Sequence, residues 1–232
     1  MIPPTVRCIQ LSTANLTALL AAGWTLEGGP YADETTCNTE CGDVTYIYDV
    51  TGTFTPDFTG NVMVECWGAG GSGEAGTGTN LAGSGGAYSR KNTYAVTSGT
   101  PYTVHVAAVN TDKTWFVSTI TVLASSGEDG GHVTPMVGGL GGLASTGVGD
   151  VKYNGGDGAD FQVIEGGGGG GSATSTSDGF PGSGFNGGVG EGNGAKGGAS
   201  GQNASYEGFP PGGGGGGGGD GTTTGSAGAA GR

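Results

Sequence analysis

The stretch Val62-Met63-Val64-Glu65-Cys66-Trp67-Gly68-Ala69-Gly70-Gly71 changes character halfway along. Up to Trp67 it alternates, with Val62, Val64 and Cys66 on one side and Met63, Glu65 and Trp67 on the other, which is the two-residue period of a β-strand. After Trp67 glycine takes over and the alternation stops. A chain that passes from a strand straight into glycine must be organised beyond that point by something other than side-chain packing.

Both characters recur on either side. Residues 44–50, 87–96, 102–109 and 115–123 are short runs rich in Val, Thr, Ile and aromatic residues and read as further strands. In the third of these, Tyr102, Val104 and Val106 alternate with Thr103, His105 and Ala107. Breaks such as Thr55-Pro56-Asp57 and Ser98-Gly99-Thr100-Pro101 separate the runs, and no alternation of strand with helix is present, so the pattern predicts a mainly β fold: a small antiparallel β-sandwich or barrel over residues 44–123.

Beyond residue 123 only 150–153 and 160–164 read as strands. The rest of 124–232 is glycine runs (166–171 and 212–219) broken by short inserts. Of 232 residues 58 are Gly, one in four against a usual share of about 7%, and most follow residue 120. Collagen is excluded, because Gly225, Gly228 and Gly231 keep a three-residue period but Gly187, Gly188, Gly190, Gly192 and Gly194 do not. Two forms remain: a flexible Gly/Ser linker, or a bundle of extended glycine helices with three residues per turn, whose amides and carbonyls point sideways to neighbouring helices. Ordering a glycine costs roughly 0.5–1 kcal/mol more than ordering an alanine. Lateral backbone hydrogen bonds at about 1 kcal/mol net each offset that only if most of the glycines are paired. Order in this region is therefore all or nothing.

Residues 1–43 form a separate piece, with three of the four cysteines and one helix. Ser12 caps a helix over 13–22 in which Leu16, Leu19 and Leu20 fall on one face, and Gly23 ends it. Ten residues are too few for a stable free helix, so that face is expected to dock on the adjoining sheet or on a neighbouring subunit. Cys8, Cys37, Cys41 and Cys66 allow three connectivities. A zinc site is not expected, since Cys37 and Cys41 lack a second close pair. A disulfide between Cys8 and Cys37 is the pairing expected, a link through Cys66 to the sandwich is another, and free buried thiols are the alternative.

The net charge of −13 argues against a nucleic-acid partner, which requires a basic patch. No run of 18 apolar residues is present, and Met1-Ile2-Pro3-Pro4 lacks the basic-then-apolar opening of a secretory signal, so neither a membrane span nor secretion by signal is expected.

Motifs of catalysis reduce to composition. GxGxxG is matched at 182–187 and 192–197, but at this glycine content chance yields about six such matches, and the strand-to-helix setting is missing. His105 and His132 have no cysteine or carboxylate at ligand or triad spacing; His105 reads as a strand residue. Gly155-Gly156-Asp157-Gly158-Ala159-Asp160-Phe161-Gln162-Val163 nearly matches a calcium-binding repeat but is single and carries Gln162 where an apolar residue belongs. The simpler reading is a turn whose Asp side chains cap backbone amides. No cofactor, metal or enzymatic activity is expected, and a glycan-modifying or ice-binding activity would need a carboxylate pair or a flat Thr array that the sequence does not display.

The order of motifs resembles a known family. The Trp67-Gly68-Ala69-Gly70-Gly71 strand exit is followed by Gly85-Gly86-Ala87-Tyr88-Ser89-Arg90-Lys91, then Gly99-Thr100-Pro101-Tyr102-Thr103-Val104, then Tyr153-Asn154-Gly155-Gly156-Asp157-Gly158 and the two glycine blocks. Over residues 46–232 this is similar to the glycine-rich domain of bacteriophage and prophage tail-fibre and receptor-binding proteins. The resemblance implies a β-sandwich whose glycine-rich excursions pack as polyglycine II helices, in a structural or adhesive part of a virion. It also implies that the inserts carrying Phe180, Phe185, Tyr206, Glu207 and Phe209 meet a host-surface glycan or protein, where the residues alone equally allow these aromatics to pack across glycine backbone.

Two departures stand out. Ala107-Ala108-Val109-Asn110 extends a strand where the family turns glycine-rich, and the family follows the equivalent of Gly231-Arg232 with one more apolar strand, which a neighbouring subunit or a longer chain would supply. Residues 1–43 lie outside the resemblance and suit attachment to other virion proteins. Self-association is expected, as a trimer if the protein is a fibre. The expectation is a non-enzymatic virion protein (tail fibre, head fibre or capsid decoration); the alternative is an extracellular filament or matrix protein assembling through its open β edge and glycine helices.

Overall fold

The computed structural model describes residues 45–73, 81–108, 111–130, 137–160, 167–188 and 197. The chain forms two compact units, Met1–Tyr46 and Ile47–Arg232. The expected helix with Leu16, Leu19 and Leu20, and the cysteines Cys8, Cys37 and Cys41, lie outside the described residues.

The second unit is mainly β, with two antiparallel sheets. One has the order β1-β4-β5-β6, built from β1 (Gly52–Phe54), β4 (Tyr102–His105), β5 (Lys113–Phe116) and β6 (Val122–Ser125). The other has the order β2-β3-β7, built from β2 (Gly60–Trp67), β3 (Tyr88–Val96) and β7 (Val151–Tyr153). The sole helical element among the described residues is a single 3-10 turn at Ala144–Thr146.

The alternation in β2 sorts its side chains as the sequence predicts. Val62, Val64 and Cys66 enter a cluster with Phe54, Val96, Phe116, Val122 and Ala124, drawn from both sheets, while Met63 is 59% exposed. Aromatic edges complete this cluster: the Tyr94 ring stands nearly perpendicular to Phe116, with centroids 5.3 Å apart. Trp67, on the opposite side of β2 from Cys66, enters a second cluster with Tyr88 and Ala173, flanked by Val151 and Tyr153. Between Val62 and Val64 the register with β3 slips, so that Met63 faces two β3 residues, which is a β-bulge.

Four strand expectations are corrected. Residues 45–50 form no strand; they are largely exposed, and pairing begins at Gly52, opposite Val104. The run 102–109 stops as a strand at His105, because the next amides turn to side chains: Val106 N–H donates to Thr51 Oγ1 at 3.0 Å and Ala107 N–H to Thr114 Oγ1 at 3.2 Å. The expected extension through Ala107 and Ala108 is thus not strand. The run 115–123 is two strands, joined by a tight turn at Val117, whose φ is +64°. Ser118 N–H donates to Phe116 O across that one residue at 2.8 Å, the geometry of a γ-turn, and the Ser118 and Thr121 hydroxyls pair at 2.9 Å behind it. No Gly, Pro or Asn marks this turn in the sequence. Of the run 160–164, Asp160 is not in a strand and the rest lies outside the described residues.

Candidate functional site

Beyond Trp67 the glycine-rich segments lie side by side and bond laterally through their backbones. Segment 68–73 runs antiparallel to 81–87, with Gly68 N–H donating to Ala87 O at 2.9 Å and Gly71 N–H to Ser84 O at 2.8 Å. It runs parallel to 125–130, with Gly127 N–H donating to Ala69 O and Gly130 N–H to Ser72 O, each at 2.9 Å. Segment 81–87 is the centre of the array. Besides 68–73 it meets 125–130 (Ser84 N–H to Glu128 O, Ala87 N–H to Ser125 O), 137–143 (Gly139 N–H to Ala82 O, Gly142 N–H to Gly85 O), 153–160 (Gly85 N–H to Gly156 O) and 167–174 (Gly170 N–H to Gly83 O, Ala173 N–H to Gly86 O).

Wherever two bonds join one pair of segments here, they are three residues apart in both. A β-ladder repeats every second residue instead. All residues of 81–87 and of 167–174 are buried, and none is larger than Leu81. The approach of the segments demands glycine at Gly85 and Gly155: a Cβ on Gly85 would collide with the carbonyl of Gly171, and one on Gly155 with the carbonyl of Gly85. Trp67 fastens this array to the sheet, its indole N–H donating to Ala173 O at 3.2 Å, with the Tyr88 ring 4.8 Å away. The Tyr88 hydroxyl in turn donates to Glu65 Oε1.

The same period governs what faces out. In 137–143, Val137, Leu140 and Leu143 are exposed while Gly138, Gly139, Gly141 and Gly142 are buried. In the adjacent antiparallel segment, Asp157 and Asp160 are exposed while Gly155, Gly156, Gly158 and Ala159 are buried. The side chains of that second row hold the first segment: Gly138 N–H donates to Asp160 Oδ1 at 3.0 Å, Gly141 N–H to Asp157 Oδ1 at 2.7 Å, and Ala144 N–H to Asn154 Oδ1 at 2.9 Å. Both Asp residues of the near-calcium repeat therefore cap backbone amides, as expected, but along an extended segment and not in a turn.

Of the aromatic inserts, Phe180 and Phe185 are 42% and 41% exposed; Tyr206, Glu207 and Phe209 lie outside the described residues. Phe180 follows Gly179, whose N–H donates to Asn154 O at 2.8 Å, and its own carbonyl accepts from Gly171 N–H at 2.9 Å, so it projects from the same array. Phe185 sits in a turn closed by the two Ser183–Asn186 backbone bonds at 3.0 Å, where Gly184 takes φ +56°.

Sequence reasoning missed one pairing. His105 Nε2 lies 2.6 Å from Asp112 Oδ2, with the imidazole stacked on Trp115 at 5.0 Å. The β4–β5 hairpin brings together residues seven apart, a spacing that no ligand or triad pattern covers. His132 lies outside the described residues, and among those described no group of His, Cys, Asp and Glu could hold a metal ion.

Cys66 is free and buried. Burial, reinforced by the neighbouring Glu65 carboxylate, pushes its thiol up to about 12. Burial first, and the bond to Glu65 second, raise the Tyr88 phenol well above its ordinary value. The Lys91 ammonium, 2.7 Å away, and the Asn92 N–H hold the Asp150 carboxyl below the usual carboxylate range. Among the described residues, no helix is long and apolar enough to cross a membrane. Compared with known proteins, the chain matches no family model, no curated protein and no solved structure.

Proposed function

We propose that this chain is a non-enzymatic structural and adhesive protein of a virion, a tail fibre, head fibre or capsid decoration, in which a β-sandwich carries a bundle of polyglycine II helices. The observation that carries this reading is the period of three shared by the lateral backbone bonds and by outward exposure. An extended helix with three residues per turn has no internal hydrogen bonds, so every amide and carbonyl is free to pair sideways and every third residue faces the same way. The two sheets meeting in one apolar cluster support the sandwich.

The architecture suits display. Interior positions are mostly Gly, Ala and Ser, whereas the turns between segments, and those outward positions whose side chains do not hold a neighbouring amide as Asp157 and Asp160 do, have room for larger side chains. Phe180 and Phe185 occupy such places, and contact with a host-surface glycan or protein through these inserts is the role assigned to them. Residues 1–43 attach the domain to other virion proteins, and the protein self-associates.

A second reading has one observation in its favour. Among the described residues β2 pairs with β3 alone, leaving an eight-residue edge open to strand addition from a neighbour, as in an extracellular filament. Immunogold labelling of an unfractionated lysate with antibody against residues 1–43 separates the two. Gold on phage heads or tails is the expected result; gold along free filaments, with none on particles, contradicts the virion assignment and leaves the filament.

A further inference from the structure

The outward face of segments 137–143 and 153–160 presents two parallel rows with one spacing. The apolar row is Val137, Leu140 and Leu143; beside it runs the acidic row of Asp157 and Asp160, whose Oδ1 atoms are bound by Gly141 and Gly138 of the apolar segment. On the other flank Glu128, also exposed, lies in the segment whose Glu128 N–H donates to Leu140 O at 2.9 Å. The result is an apolar ridge between carboxylates. Among the described residues, the N–H groups of Leu140 and Leu143 have no partner, so the ridge offers backbone donors as well.

We propose that this surface binds a basic, extended segment of another protein that carries an apolar side chain at every third residue. Charge excludes the obvious rival, a second copy. The chain has 7 Lys and Arg against 20 Asp and Glu, and two such faces brought together would set carboxylates against carboxylates or against leucine. Spacing selects the conformation of the partner. At about 3.1 Å per residue the ridge repeats every ~9 Å. A β-strand repeats on one face at about 6.8 Å and falls out of step at once. An α-helix repeats over two turns at about 10.5 Å and drifts by about 3 Å along the ridge. A second chain with three residues per turn stays in register, setting its apolar residues against Leu140 and its cations against Asp157 and Glu128.

The proposal rests on the three-residue geometry above, and not on where the protein works. The test titrates the intact protein into fluorescently labelled (Leu-Pro-Lys)4, which holds the polyproline II form, and reads anisotropy. Saturable binding is expected. Leu140→Asp should weaken it by at least about tenfold, as should breaking the period in a peptide of equal composition; tenfold corresponds to about 1.4 kcal/mol. Asp157→Asn keeps an acceptor for Gly141 N–H while removing the charge, and should weaken binding and flatten its salt dependence.

Absence of saturable binding, equal binding of the shuffled peptide, or indifference to Leu140→Asp overturns the proposal. Self-association without peptide that Leu140→Asp abolishes overturns it too, in favour of a second copy. Amide exchange at Gly139 and Gly142 separates the two ways of failing. Protected amides without peptide binding refute this surface alone, whereas freely exchanging amides refute the three-residue lattice and the surface with it.

Discussion

Gly141 N–H donates to Oδ1 of Asp157 at 2.7 Å, and three residues along each segment Gly138 N–H repeats the same bond to Asp160 at 3.0 Å. A contact repeated every third residue in both of two antiparallel chains departs from the two-residue repeat of a β-ladder. The acidic side chains here complete a lattice whose other bonds are backbone to backbone.

Removing the Asp157 carboxylate should leave the buried Gly141 amide unpaired. Asp157→Ala is expected to lower stability by about 1–3 kcal/mol and to accelerate exchange at Gly141. Asp157→Asn, which retains an acceptor oxygen, should recover most of that loss. Urea unfolding of the three proteins checks both statements, and equal stability of the Ala and Asn variants would contradict them.

Gly85→Ala should be strongly destabilising, because its Cβ would collide with the carbonyl of Gly171, backbone that cannot swing aside. A loss of at least about 2 kcal/mol is expected. Gly60→Ala is the control: its Cβ would meet the Phe58 ring at an ordinary 3.4 Å, and the change should be neutral or stabilising by up to about 1 kcal/mol. Thermal unfolding of the pair reads the difference.

Trp67→Phe removes the indole N–H that reaches Ala173 O at 3.2 Å while keeping much of the ring packing against Tyr88. The orphaned buried carbonyl should cost about 1–3 kcal/mol. Since this bond joins β2 to segment 167–174, amide exchange at Gly170 and Ala173 should quicken more than exchange in β4. Uniform quickening across both sheets would instead mark Trp67 as ordinary core.

Stability should fall at alkaline pH. The folded thiol of Cys66 is raised to about 12 from its ordinary 9.0, so its contribution is fully present below pH 9 and is lost as pH rises from 9 towards 12, where the unfolded chain ionises and the folded one does not. The raised Tyr88 phenol acts in the same direction above pH 10. Cys66→Ala should start less stable at pH 7 but lose less between pH 8 and 11. Iodoacetamide at pH 8 should label Cys66 only in denaturant.

Much of the sheet structure was legible. The alternation of Val62, Val64 and Cys66 located β2 and its core face, and the aromatic and β-branched run after Ala87 located β3. What escaped was conformation carried by unusual backbone. The β5–β6 turn places a β-branched residue, Val117, at φ +64°, and no propensity points to that. His105 and Asp112 meet because a hairpin folds them together. The outward ridge was present in the letters, as Val137-Gly-Gly-Leu140-Gly-Gly-Leu143 and Asn154-Gly-Gly-Asp157-Gly-Ala-Asp160. These triplets are local and add up to no global collagen period, because the turns between segments reset the phase each time.

Hydrogen exchange of individual amides in residues 137–143, followed by NMR, tests the central claim most directly. The three-residue lattice predicts slow exchange at Gly138, Gly139, Gly141 and Gly142, whose N–H groups are bonded to Asp160, Ala82, Asp157 and Gly85, and fast exchange at Leu140 and Leu143. Protection at every second residue would make this segment a β-strand, and random-coil rates throughout would make it a linker; either result contradicts the account.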